Sequence, residues 1–241
     1  MSGRRNALFW GWMLALVTAA LFAGFGYWQL GRMHEKRTML DAVQQVLSQR
    51  RAQPLTIADD AARRQQYDWV AGDGVFIAAP AVLLDNQQRD GRSGVRAYRL
   101  FQPARGGMPV LVELGWLPLP GDRRMPDVAQ PSGVWRLEGL LLPPPSAGIA
   151  SPRLQAQPNG DLLAVSLDLP TLRSALQVPA IAPRILRPDP AAKIGYARDL
   201  DILPNTLPPE RHLGYAVQWF ALALAVLVTA LVLTFRKRSS R

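Results

Sequence analysis

Two long apolar runs limit the architecture of this chain more than any other feature. Residues 8–30 and residues 213–235 each form a stretch of 23 residues without a charged side chain. As helices rising about 1.5 Å per residue, each would reach ~35 Å, which is enough to cross a hydrocarbon core of roughly 30 Å. We therefore predict two transmembrane helices.

A cleaved secretory signal is the alternative for the first run, since Arg4 and Arg5 precede it. The apolar core of such a signal is only about 7–15 residues long. This run is longer, and it ends in Trp28 and Gln29 without a clear cleavage site between small residues. An uncleaved anchor is therefore the favoured interpretation.

The distribution of charge predicts the orientation. Every Asp and Glu lies between the two runs, whereas both tails are basic. The positive-inside rule then places both termini in the cytoplasm, although Arg32, Lys36 and Arg37 on the outer side oppose this bias. The predicted segments are a cytoplasmic tail at 1–7, a helix at 8–30, an external domain at 31–212, a helix at 213–235 and a second tail at 236–241.

Composition excludes several functional classes. The net charge is +10, but the segment between the runs carries 22 Lys and Arg, scattered among 18 Asp and Glu, so no nucleic-acid-binding block is present. The chain has no Cys, which excludes disulfides and thiol redox chemistry. Both histidines lie next to the apolar runs and not in the body of the external domain, so a Ser-His-Asp centre has no support. We predict that the protein is not an enzyme.

The external segment is predicted to combine helix and sheet. Helical spacing continues the first helix to about Arg51, and Pro54 would end it. Asp168 is expected to cap a short helix with Pro170 in its first turn. Five runs read as strands joined mostly in antiparallel fashion: YDWVAGDGVFI with a Gly-Asp-Gly interruption, AVLLDN, VRAYRLFQP, VLVELGWLP and VWRLEGLLL.

Two further segments are predicted to be irregular. Residues 85–94 are expected to form a polar loop, and the proline-rich residues 179–190 an irregular connector. The predicted fold class is thus a membrane protein of α+β type. Two transmembrane helices flank an external domain with a mainly antiparallel sheet.

Aromatic and basic side chains gather where the two runs meet the external domain. His212, Tyr215 and Trp219 share one face of the second helix, and Trp28 and Arg32 are stacked one turn apart on the first. One interpretation is an interfacial belt, in which Trp and Tyr lie at headgroup depth and Arg reaches the surface. The other is a haem site, with an imidazole on the iron, aromatic rings beside the macrocycle and cations near its propionates.

These stretches resemble a known family. GYWQLGRMHEK at 26–36 resembles the G-x-W-Q-x-x-R-x-x-x-K signature that closes the first span in the Surfeit locus protein 1 family of cytochrome c oxidase assembly factors. HLGYAVQWFALA at 212–223 resembles the family's opening of the second span, H-L-x-Y-x-x-x-W-[FY]. GRSGVRAYRLFQP, VLVELGWLP and EGLL resemble its central segments in the same order. Leu114 replaces the Arg that the family has before Gly-Trp, Glu113 precedes it, and Glu35 replaces a frequent aromatic residue.

The resemblance implies a two-span assembly protein of the bacterial inner membrane that acts on the catalytic subunit of a haem-copper terminal oxidase, together with other assembly factors and membrane lipid. It further implies that haem a is the cofactor. His212 matches the family's proposed ligand of the haem iron, and Trp28 matches the tryptophan of its first span. His34 matches no motif position.

Two other hypotheses stay open. A haem-free scaffold would hold oxidase subunits through the two spans and the external domain, and small residues such as Gly24 and Ala223 would suit close helix packing. A structural component of an envelope secretion machine would share the two-span layout, but it would not explain the ordered motifs.

Overall fold

A computed structural model of the chain describes residues 2–145, 153–202 and 207–236. The chain divides into two compact units, one formed by Met1–Asp41 with Thr206–Arg241 and the other by Ala42–Asn205. The helices are α1 (Ser2–Gln49), α2 (Leu169–Ala175) and α3 (Pro209–Phe235). The strands are β1 (Gln53–Pro54), β2 (Asp68–Phe76), β3 (Val82–Arg89), β4 (Arg92–Pro103), β5 (Val110–Pro118), β6 (Val134–Leu142), β7 (Leu154–Ala156), β8 (Leu162–Ala164) and β9 (Ile185–Pro188).

The first unit is an antiparallel pair formed by α1 and α3. Near one end Trp12 Nε1 donates to Thr234 Oγ1 at 3.0 Å, and further along the ring of Trp219 lies 5.0 Å from that of Phe25. Buried positions recur on both helices at spacings of three, four or seven residues, as expected where one face of each helix is turned toward the other. They include Ala15, Ala19, Gly26 and Met33 on α1, and Pro209, His212, Ala216 and Ala223 on α3.

Both helices are long and apolar enough to cross a membrane. Together with the mainly β-sheet second unit, they confirm the predicted fold class. α1 ends at Gln49, two residues before the expected end, because Arg50 takes a left-handed backbone conformation with φ of 43°. Pro54 therefore does not end the helix, and it lies instead in β1.

The second unit is built around a small closed barrel. β2 pairs with β6, β6 with β9, β9 with β5, β5 with β4, and β4 with β2, so five strands form a complete ring. One edge of the long strand β4 pairs with β3 before it reaches β2. Of the nine pairings formed by the described strands, the three parallel ones are β1–β2, β3–β8 and β5–β9. The sheet is thus mainly antiparallel, as predicted.

Alternation along the strands separates two apolar clusters. One contains Val70, Phe101, Val112, Leu137 and Leu186, which lie on one face of the five ring strands. The other contains their neighbours on the opposite face, and it is covered by α2 and by the last turns of α1. Its members include Trp69, Tyr98, Leu111, Leu140 and Ile185 from the strands, with Val43 and Leu172 from the helices.

The glycines expected to interrupt the first strand instead lie inside β2. A Cβ at Gly74 would come within 2.3 Å of the Gln102 backbone oxygen, so only glycine permits the close approach of β2 to β4 that closes the ring. The sequence Gly-Asp-Gly therefore marks a strand contact and does not break the strand.

Two segments predicted to be irregular contain strand. The expected loop at 85–94 is mostly a hairpin, because β3 and β4 stay paired as far as Arg89 and Arg92, and the turn is made by Asp90 and Gly91 with φ of 52° and 72°. The expected connector at 179–190 contains β9, which lies in the ring between β5 and β6.

The predicted short helix is confirmed as α2. The Asp168 carboxylate accepts a hydrogen bond from the Thr171 backbone nitrogen at 3.0 Å, as an N-cap does, and Pro170 lies in the first turn. This helix packs Leu172 into the second apolar cluster.

Candidate functional site

His212 lies at the start of α3, one turn after Pro209, and is only 7% exposed. Its Nδ1 is 2.7 Å from Oε1 of Gln29, which projects from α1. An amide oxygen accepts hydrogen bonds, so we assign the neutral ring as the tautomer with its proton on Nδ1, which leaves the lone pair on Nε2. The contact joins the two motifs that border the membrane runs, although they are 183 residues apart in sequence.

The second nitrogen of the same ring, Nε2, is buried and has no hydrogen-bond partner among the described residues. A histidine that binds a metal through one ring nitrogen usually donates its other N–H to an oxygen acceptor, which fixes the tautomer and the ring orientation. His212 and Gln29 have this arrangement, so the residues present would fit a haem iron held by one imidazole nitrogen.

The aromatic residues of the predicted site divide into two groups. Trp219 packs against α1, with ring centroids 5.5 Å from Phe22 and 5.0 Å from Phe25. Trp28 and Tyr215 lie on the outer surface of the helix pair, where they are 59% and 37% exposed. The helix pair thus covers part of the Trp219 ring and leaves the rings of Trp28 and Tyr215 exposed.

Two basic residues near this level, Arg32 and Lys36, already have partners. Arg32 is exposed and its Nη1 lies 2.6 Å from Oε2 of Glu35, one turn along α1. Lys36 is buried and donates to the backbone oxygen of Leu207, just before α3 begins. An incoming carboxylate would therefore compete with Glu35 for Arg32, whereas Lys36 holds the chain that leads into α3.

His34 lies apart from the His212 contact. It is exposed, and its Nδ1 is 2.8 Å from the backbone oxygen of Leu30 in the same helix. Among the described residues, no group of three or more His, Cys, Asp or Glu side chains could hold a metal ion. His34 thus serves as a matched control for His212.

Gln29 and Phe25 were not among the predicted site residues. The signal for Gln29 was nevertheless present, because it is a polar amide at the end of an uncharged run and part of the WQ motif. Phe25 carried no such signal, since a phenylalanine inside an apolar helix is ordinary. Its contact with Trp219 depends on how the two helices pair.

The SURF1 family model matches residues 16–224 of the chain. This chain belongs to the SURF1 family. The match spans both helices and the barrel, and it includes all five predicted site residues. A comparison with curated proteins gave no match.

Membership fixes the broad function. SURF1 proteins act in the assembly of cytochrome oxidase, and the family is one of assembly factors and not of catalytic enzymes. The predicted family and its place in oxidase assembly are therefore confirmed, whereas the predicted haem contacts are not tested by the match.

The departures from the SURF1 pattern in the barrel have a structural explanation. Leu114 is 1% exposed and belongs to the first apolar cluster, so an Arg side chain at this position would lie in an apolar core. Its neighbour Glu113 is equally buried. The Glu113 carboxylate lies 3.0 Å from Nη1 of Arg96 and 3.0 Å from Nη2 of Arg187. The barrel of this chain thus places a carboxylate between two arginines.

Proposed function

We propose that this protein binds haem a through His212 at the level of its membrane helix ends, and that it passes the haem to the catalytic subunit of a haem-copper terminal oxidase or stabilises it there. The protein would act with other assembly factors in the bacterial inner membrane. The observation that supports this most directly is the buried Nε2 of His212, which has no partner among the described residues. Haem, when bound, would supply an iron that accepts one imidazole nitrogen.

Each residue near His212 would have a definite task. Gln29 would hold the ring proton on Nδ1 and so keep Nε2 as the ligand atom. Trp219, supported by Phe25, would provide an apolar wall, and Trp28 an aromatic surface open to the outside. Arg32 would be the cation available to a propionate, once that group displaces Glu35.

Access to the imidazole sets a condition on this proposal. Nε2 is fully covered, so an iron atom reaches it only when neighbouring side chains move apart. The same closed arrangement favours the second candidate function, a haem-free scaffold whose helices hold oxidase subunits during assembly. The two functions differ in whether the purified protein carries haem.

The first test is an optical spectrum of the full-length protein, purified in detergent from cells that make haem a, in oxidised and reduced forms. We expect a haem band in the wild type and in His34→Ala, and its loss in His212→Ala. His34→Ala is the matched control because it removes the other histidine of the chain, which is exposed and bonded within its own helix.

The outcomes separate the two functions. A band that persists in His212→Ala would exclude this residue as the ligand. No band in any of the three proteins, with oxidase subunits still co-purifying, would favour the scaffold.

We also propose that both termini lie in the cytoplasm and the barrel unit outside the inner membrane. This orientation has an independent test, because the chain contains no cysteine. Ser132→Cys in the barrel unit and Asn6→Cys near the N-terminus both introduce a thiol at an exposed position. A membrane-impermeant maleimide added outside the inner membrane should label the first and spare the second. The reverse result would place the barrel in the cytoplasm.

A further inference from the structure

A cavity of about 600 Å³ lies within the helix pair, at the end opposite His212. It extends along α1 from Ala7 to Thr18 and along α3 from Leu222 to Thr234. At about 1.5 Å per residue these stretches measure roughly 16–18 Å, which is close to half of a ~30 Å hydrocarbon core. The cavity is therefore about as deep as one leaflet of a bilayer.

The cavity is lined mainly by apolar side chains. Most lining residues are aliphatic, and the hydroxyls of Thr229 and Thr234 donate to backbone oxygens of their own helix at 2.8 Å. Trp12 also lines the cavity, and its Nε1 is bonded to Thr234. These three side chains satisfy their polar groups within the protein, so most of the wall suits a hydrocarbon chain.

Basic residues border the same end. Arg5 lies two residues before Ala7, and Arg236 lies two residues after Thr234; both are exposed. Within the described part of the chain neither guanidinium forms an ion pair, and no Asp or Glu occurs in the sequence before residue 35 or after residue 210. Arg5 and Arg236 thus place positive charge at this end of the cavity.

We propose that this cavity binds one anionic phospholipid, with an acyl chain between α1 and α3 and the headgroup phosphate at Arg5 and Arg236. The depth of one leaflet, the apolar walls and the positive charge at one end together match this ligand. Basic pockets between membrane helices on the cytoplasmic side are a known setting for such headgroups. The proposal does not depend on haem binding, because the cavity and His212 lie at opposite ends of the helix pair.

The test is native mass spectrometry of the full-length protein in detergent, with dioleoyl phosphatidylglycerol or dioleoyl phosphatidylcholine added at equal concentration. The two lipids have the same chains and differ in headgroup charge. We expect the wild type to retain the anionic lipid preferentially. Arg5→Gln and Arg236→Gln should each weaken that preference about fivefold, since one arginine near an anionic headgroup contributes about 1 kcal/mol.

A pair of glycine variants on α1 tests the cavity itself. A Cβ at Gly11 or at Gly24 would meet no atom within 4 Å, so a side chain at either position begins in open space. Gly11 lines the cavity and Gly24 does not. We expect Gly11→Leu to lose the retained lipid and Gly24→Leu to keep it, with equal helix content by circular dichroism.

Three results would overturn the proposal. The first is equal retention of the two lipids by the wild type, and the second is equal retention of the anionic lipid by the two leucine variants. The third is a dimer in the wild-type spectrum that Gly11→Leu abolishes, because a second copy of the chain would then occupy the cavity.

Discussion

The buried polar side chains Glu113 in the barrel and His212 in the helix pair differ in how many of their hydrogen-bonding atoms have a partner. In the barrel, both carboxylate oxygens of Glu113 are engaged, Oε1 by Arg96 and Oε2 by Arg187 and by the Tyr98 hydroxyl at 3.4 Å. In the helix pair, His212 uses only one of its two ring nitrogens.

Asp68 is bonded in the same way as Glu113. Its two carboxylate oxygens accept hydrogen bonds from Arg63 and Arg184, and Gln53 donates to Oδ1 at 3.1 Å. The barrel unit also contains buried atoms without a partner among the described residues, namely Nε of Arg96 and of Arg184, Oδ1 of Asp59 and Oγ of Ser166. The two guanidinium nitrogens are donors without a lone pair and the other two atoms are oxygens, whereas Nε2 of His212 is an imidazole nitrogen, a common ligand of iron. The buried carboxylates of Glu113 and Asp68 thus hold the barrel together, while the helix pair keeps an imidazole nitrogen of the kind that binds haem iron.

The largest effect is expected for Glu113→Ala. The substitution leaves Arg96 and Arg187 buried without their shared carboxylate, and breaking a buried ion pair in this way costs about 3–5 kcal/mol. We expect the unfolding free energy of the detergent-solubilised protein to fall by that amount, measured from denaturant midpoints followed by tryptophan fluorescence.

Asp73→Ala is the matched control in the same barrel. Asp73 lies 3.6 Å from Arg136, and both side chains are more than half exposed, so their pairing contributes about 1 kcal/mol or less. Similar losses in the two variants would show that the buried cluster has no special role in the stability of the barrel.

The second effect concerns the helix pair. Gln29→Leu removes the acceptor that holds the proton on His212 Nδ1, and loss of such a partner typically lowers metal affinity by about 10–100-fold. We expect titration of haem a into the purified variant, followed by absorbance, to show weakening of this size. The stability of the barrel should change little, because Gln29 belongs to the other unit.

Gln29→Glu provides the rescue for that experiment. It keeps an oxygen acceptor opposite Nδ1, so the affinity should stay nearer to that of the wild type. If Gln29→Leu bound haem a as tightly as the wild type, the contact between the two helices would be structural only.

The sequence predicts those parts of the fold that depend on local pattern. The two apolar runs, the cap at Asp168 and the main strands all follow from periodicity and from short-range hydrogen bonding. The barrel could not be predicted in this way, because its closure depends on the contact of Gly74 with Gln102, and β9 is hidden in a stretch rich in proline and arginine. Such contacts between distant segments leave no local signature.

The candidate site shows the same limit. An antiparallel helix pair is expected to place His34 and His212 at one membrane face, and the motifs that contain them do meet, through Gln29. The spacing along one helix could not tell which side chain would face the imidazole. Nor could it show that Trp28 and Tyr215 would lie on the outside, since this depends on the rotation of each helix about its axis.

The smallest effect is expected for Tyr98→Phe, and it depends on pH. Burial raises the pKa of the Tyr98 hydroxyl, and Glu113 raises it further, while Arg96 and Arg187 oppose this change. In the unfolded chain the hydroxyl titrates near its ordinary pKa of about 10. Below that pH both states keep the proton, so the variant loses only a long hydrogen bond, or about 1 kcal/mol.

Above about pH 10 the unfolded state alone releases the proton of Tyr98, and the stability of the wild type falls by up to about 1.4 kcal/mol per pH unit through this group. Denaturant midpoints measured between about pH 8 and pH 11 should therefore fall less steeply for Tyr98→Phe than for the wild type. Parallel curves would show that Tyr98 titrates normally, and that the buried cluster of the barrel is open to water.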